Sequence, residues 1–230
     1  MPKRLTAVAF DADDTLWHNE RFFKLTQEHF VASLAPFATG TDLEARLMDS
    51  ERRNLQHYGF GIKGFVLSMI ETALEVTENQ VPGHVIAGLI SAGQEMLQHP
   101  IELLPYAREA VAAAKSHGAV ILVTKGDLLH QERKLAQSGL GEMFDEVAIV
   151  SDKVPGTYTR IFADDVQRAV MVGNSMKSDV RPMIDAGGWG VFVPHGLAWD
   201  FEHAEAPKDH PRFREIEHLG ALPDVLSQIA

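Results

Sequence analysis

The chain has 230 residues, 45% of them apolar, and a formal net charge of -11. That is enough apolar material for one ordinary domain core plus an insertion, and an acidic chain without a basic stripe excludes a nucleic-acid backbone as partner. Cysteine is absent, which removes disulfides, thiolate catalysis and Cys-based zinc sites.

The start, Met1-Pro2-Lys3-Arg4, is basic, but the apolar run behind it is shorter than a signal-peptide core. No stretch approaches the roughly 20 apolar residues of a membrane span. A cytoplasmic protein without a membrane partner is the expectation. Disorder is expected only in the first few residues and in the polar stretch 202–211.

In chain order, the run at residues 5–10 reads as a buried strand that ends on "DADDT", residues 11–15. From about residue 18 to residue 100 the periodicity is helical only: Phe22, Phe23, Thr26, Phe30 and Leu34, then Leu43, Leu47 and Leu55, then 65–74, then 85–97. Beyond Pro105, apolar runs at 120–123, 147–150, 170–172 and 190–193 alternate with helical patterns at 106–117, 128–138 and 179–186. Gly118 and Gly139 stand where helix C-caps belong, and Asp127 where an N-cap does. Strand–helix alternation implies a parallel, Rossmann-like α/β sheet covered on both faces. The expected domains are a core of residues 1–17 and 101–230 and a helical insert of residues 18–100.

Residues at the carboxyl ends of parallel strands open into the crevice where α/β proteins bind ligands. Just past the predicted strands stand Asp11 and Asp13, then Thr124, then Lys153, then Asn174 with Asp179. Asp11 and Asp13, two apart in an extended chain, point to the same side. Two carboxylates held together stay ionised only beside a cation. Hard oxygen ligands without clustered His favour Mg2+, with Asp179 as the third protein ligand. No EF-hand fits, because its glycine position holds Leu16. The eleven histidines show no metal-ligand spacing.

The order "DADDT" (11–15), "LVTKG" (122–126), "SDK" (151–153) and "GNSMKSD" (173–179) resembles the four motifs of the haloacid dehalogenase superfamily. The likeness covers essentially the whole α/β part, with the insert placed as in the branch that carries a helical cap between the first two motifs. It implies Asp11 as the nucleophile forming an aspartyl-phosphate. Asp13 would be the general acid and then the base, its backbone carbonyl touching Mg2+. Thr124 and Lys153 would hold phosphate oxygens, and Asp179 would ligate the metal. Two positions depart from the pattern. Asn174 stands where the family usually has aspartate, its amide oxygen still able to support the metal. Lys125 stands where asparagine is common, adding positive potential for a phosphate.

The resemblance implies a magnesium-dependent phosphatase acting on a small phosphorylated metabolite. A phosphomutase would look almost the same at the site. A dehalogenase would have no leaving oxygen for Asp13 to protonate, and a phosphonatase would need a cap lysine, Lys24 or Lys63. A non-catalytic binding module retaining the fold is the alternative from another class. Within the insert, "HYGFGIKGF" (57–65) places three glycines in six positions. That turn is expected to bring Tyr58 and Phe60 to the substrate pocket and Lys63 to an anionic group.

Overall fold

A computed structural model describes residues 4–197 and 204–229. The chain divides into two compact units, one of Met1–Glu20 with Ile101–Ala230 and one of Arg21–Pro100.

In the first unit, six strands form one parallel sheet among the described residues. They are β1 (Ala7–Phe10), β2 (Ala119–Lys125), β3 (Glu146–Val150), β4 (Ala169–Gly173), β5 (Trp189–Phe192) and β6 (Phe213–Glu215), in the order β3-β2-β1-β4-β5-β6. Side chains of a strand alternate between faces, and the core follows that alternation. Val8, Phe10, Val120, Leu122, Val170 and Val172 join one buried cluster, while Ala7, Ala9, Ile121, Val123, Ala169 and Met171 join another. Runs buried on both faces have no polar alternation, which is why they read as continuous apolar segments. The first cluster takes in α5 (Ala107–Ala114), Leu135 of α6 (Leu128–Ser138) and α9 (Leu222–Ile229). The second takes in α7 (Pro155–Phe162) and Met183 of α8 (Arg181–Asp185). The result is a helix–sheet–helix sandwich.

The second unit contains most of α1 (Glu20–Leu34), then α2 (Leu43–Tyr58), α3 (Ile62–Val76) and α4 (Gly83–Gln98). Its own core is built on Phe30, Leu34, Leu47, Phe65, Met69 and Leu89. Helix α3 starts at Ile62, earlier than the apolar pattern implies, because Gly61 (φ 117°) and Gly59 (φ 70°) make the turn and Gly64 is already helical. A Cβ on Gly64 would lie 3.0 Å from the Gly59 carbonyl oxygen, so glycine there permits the close return of the chain.

Several details differ from expectation. Asp127 does cap α6, accepting from the His130 N–H at 3.0 Å, and Gly139 follows α6 in the left-handed region. Gly118 is no C-cap; α5 ends at Ala114 and Lys115 caps it. A Cβ at 118 would stand 2.5 Å from the Thr6 carbonyl carbon and oxygen, so glycine is needed where the chain passes the start of β1. Helices α7 and α9 and strand β6 lie outside the predicted set. Of the two segments expected to be disordered, residues 1–3 and 202–203 lie outside the described residues, while 204–211 are described and include a turn at 208–209. No described helix is long and apolar enough to cross a membrane.

Candidate active site

Parallel pairing brings the carboxyl ends of β1 to β4 to one edge. Phe10 pairs with Leu122 on one side and Val172 on the other. Asp11 is the next residue, its N–H donating to the Val172 carbonyl at 2.9 Å. Thr124 and Lys125 end β2, Asn174 directly follows β4, and Lys153 lies in the loop after β3.

Three charged groups form a buried chain at this edge. Lys153, 3% exposed, directs Nζ to Asp11 Oδ1 and, at 2.7 Å, to Asp179 Oδ1. Asp179 Oδ2 accepts from the Ser175 N–H at 2.9 Å. Burial alone would neutralise Lys153, but Asp11 and Asp179 outweigh it and hold the ammonium well above its usual range. Burial and the nearby Asp11 charge push the Asp179 carboxyl up, to about 7, with Lys153 opposing.

Gly173 makes room for this arrangement. A Cβ there would sit 2.2 Å from Asp179 Oδ2 and 2.4 Å from its Cγ. Gly173→Ala is therefore expected to destabilise the fold by about 1–3 kcal/mol and to displace Asp179 from Lys153. Denaturant unfolding reads the first effect, and loss of turnover in the folded variant reads the second.

Asp13 belongs to a separate set of donors. Its Oδ1 accepts from the Trp17 indole at 2.7 Å and from Lys134 Nζ at 2.6 Å. Its Oδ2 accepts from Gln131 Nε2 at 3.1 Å and from Lys134 Nζ at 2.7 Å. Burial would raise this carboxyl, but the Lys134 charge and the donors around it bring it below its ordinary value. Gln131 Nε2 also donates to Thr124 Oγ1 at 2.6 Å, tying the end of β2 to Asp13.

A third cluster is made of oxygens. Thr15 Oγ1 lies 3.1 Å from Asp11 Oδ2 and accepts from the Asn174 N–H at 3.0 Å. The outward atom of the Asn174 amide stands 3.1 Å from the Asp13 backbone oxygen, 3.2 Å from Asp11 Oδ2 and 3.1 Å from Thr15 Oγ1. The first two neighbours only accept, so without a cation the amide nitrogen faces them and donates. With the amide turned over, Oδ1 occupies the same point. Asp11, the Asp13 carbonyl and Asn174 together offer the oxygen donors that a hard divalent cation takes. Asp179 has both oxygens engaged and no exposed surface. Lys125 Nζ donates to Ser178 Oγ at 2.8 Å.

A family model for haloacid dehalogenase-like hydrolases matches residues 5–187. The chain belongs to that family. A crystal structure of a haloacid dehalogenase-like family hydrolase from Xanthomonas campestris is 40% identical, covers 98% of this chain and 92% of that one, and superposes with a TM-score of 0.88. A glyceraldehyde 3-phosphate phosphatase of Methanothermobacter thermautotrophicus is 28% identical over 90% of each chain. An L-2-haloacid dehalogenase from Xanthobacter autotrophicus shares the fold at 15% identity, covering 98% of this chain and all of that one, with a TM-score of 0.64.

Within this haloacid dehalogenase-like hydrolase, the motif reading omitted the partners of Asp13. Gln131, Lys134, Leu135 and Ser138 recur at i, i+3, i+4 and i+7 on α6, and all four are buried. A glutamine and a lysine on the apolar stripe of an amphipathic helix were the available signal. Thr15 closes the first motif and Trp17 lies two residues beyond it; both needed only their contacts to be assigned. In the second unit, Tyr58 ends α2 and its hydroxyl donates to Glu71 Oε1 at 2.7 Å, which ties α2 to α3. Phe60 lies in the turn between these helices, and Lys63 is in the first turn of α3.

Proposed function

We propose that this hydrolase is a phosphatase acting on a small phosphomonoester through an aspartyl-phosphate on Asp11. The observation that carries the reading is the second carboxylate, Asp13, held by Lys134, Gln131 and Trp17 independently of Asp11. Displacement of a halide leaves no oxygen to protonate and gives such a group little to do. The phosphatase named among the relatives acts on a phosphorylated triose, which supports a small phosphorylated metabolite as the substrate class.

In this reading an Asp11 oxygen attacks phosphorus, forming the acyl-phosphate bond as the bond to the leaving oxygen breaks. Asp13 delivers a proton to that oxygen. Asp13, now ionised, takes a proton from water, which attacks phosphorus and releases phosphate from Asp11. Lys153 keeps its charge throughout and offsets charge on Asp11 and on the phosphoryl oxygens, with Thr124 donating to one of them and Lys125 adding positive potential. Lys134 holds Asp13 below its ordinary value, so before Asp13 acts as acid one of its oxygens turns from Lys134 and takes up a proton from water. Asp11, the Asp13 carbonyl and Asn174 would hold Mg2+, which when bound supplies further positive charge against the phosphoryl group. Asp179 would orient Lys153 through one oxygen and, with a lone pair left on each, stand as the further protein ligand.

The test is release of phosphate from an aryl phosphate, with Mg2+ and with chelator, beside chloride release from 2-chloropropionate. Phosphate release only with Mg2+, and no chloride, is expected; chloride release would replace this reading with dehalogenation. Asn174→Asp adds a charge at the cation corner and removes the amide donors that satisfy it without metal. Mg2+ affinity, measured by calorimetry, is expected to rise on the order of tenfold. An unchanged affinity would place the cation elsewhere.

A further inference from the structure

A group of metal-binding side chains lies outside the chemistry described above. His195, beyond the end of β5, places Nδ1 3.7 Å from Asp14 Oδ1. The His18 ring stands 5.9 Å from the His195 ring, centroid to centroid, at 63°. One donor atom from each of Asp14, His18 and His195 lies within 4.8 Å of the other two. Asp14 is buried and both histidines are half-buried.

The donors are oriented by their own hydrogen bonds. The Asp14 oxygens accept from the Asn19 and Glu20 N–H groups, each at 2.9 Å, which fixes the carboxylate plane and leaves a lone pair on each oxygen. His195 Nδ1 stands 2.8 Å from the Leu197 carbonyl oxygen. Ligands of metal ions are commonly aligned by such outer contacts. Asp14 has φ 59°, a left-handed conformation that aspartate tolerates better than most residues.

We propose that Asp14, His18 and His195 form a second cation site that takes a zinc-type ion in preference to magnesium. Two imidazole nitrogens and one carboxylate oxygen are the donor set of borderline divalent ions, whereas magnesium takes oxygens. With bonds of about 2.0–2.1 Å, tetrahedral donors stand roughly 3.4 Å apart. Closing the present spread of up to 4.8 Å to that value would leave a fourth position for water or an exogenous ligand.

The test uses the full chain without a histidine tag, stripped with chelator and then held in saturating Mg2+. Titration with Co2+ is followed by its visible absorption, and Zn2+ by calorimetry. One equivalent of Co2+ with imidazole-type bands, displaced by Zn2+, is expected. His18→Ala and His195→Ala should each weaken binding at least tenfold while Mg2+ affinity and the circular dichroism spectrum stay as they were. His195→Gln serves if the alanine variant does not fold. No binding beside saturating Mg2+ would reduce the cluster to a histidine–aspartate ion pair. Full binding in both histidine variants would place the ion on the catalytic aspartates, and either result overturns the proposal.

Discussion

Asp11→Asn is expected to abolish turnover, by a factor on the order of 10⁴ or more, while the protein stays folded and gains stability. An amide does not form the acyl-phosphate, so no phosphoenzyme should be trapped. The stability gain follows from the buried chain: Asp11 and Asp179 share one cation, Lys153. Removing the Asp11 charge leaves a matched pair. The Asp179 carboxyl lies above its unfolded value, with burial and Asp11 as the causes that raise it. A raised carboxyl contributes stability that is present at low pH and is lost as pH rises through the folded value, about 7. Asparagine at 11 removes part of that loss. Without metal, the variant should therefore unfold later than wild type by about 1 kcal/mol, with the gap widening from pH 4 to above 7. Steady-state phosphate release at more than a trace level would reject Asp11 as nucleophile. A variant less stable than wild type across that range would reject the charge argument alone.

Lys134→Met is expected to damage both stability and the timing of proton transfer. Lys134 is 5% exposed and contacts both Asp13 oxygens. Breaking such a pair leaves a largely buried carboxylate, a cost of about 3 kcal/mol at neutral pH. Asp13 is held below its ordinary value, so its stabilising contribution is present above the unfolded carboxyl range and fades as pH falls through the folded value. The difference between variant and wild type should thus be largest at neutral pH and shrink below about pH 4. Without Lys134 the burial that raises Asp13 meets less opposition, and the alkaline limb of kcat/KM, set by Asp13 as general acid, should move to higher pH. Trp17 and Gln131 still donate to Asp13, so a fall in kcat on the order of 10–100-fold is expected rather than complete loss. An unmoved alkaline limb together with unmoved stability would mean that Lys134 does not hold Asp13 in solution.

The sequence by itself determined which segments are strands or helices wherever one local period runs long enough. The doubly buried strands β1, β2, β4 and β5 appear as apolar runs, α6 carries its own N-cap in Asp127, and four helical stripes mark the insert. Strand β6 spans only Phe213–Glu215, with one buried residue, and leaves no such trace. The chemical types at the strand ends were equally local, because Asp11, Thr124 and Asn174 each stand at or next to the last residue of a strand.

Only the tertiary structure decided which of those groups meet. The order β3-β2-β1-β4 carries Lys153 to Asp11 across 142 positions and Lys134 to Asp13 across 121. It also sets Asp179 against Lys153 and the Ser175 N–H, while the Asn174 amide faces Asp11 and the Asp13 carbonyl. His18 and His195 likewise have no spacing that announces them and become neighbours only where β5 ends. Periodicity and composition record what each segment must bury. The partners of a polar side chain depend on strand order and register, which no single segment contains.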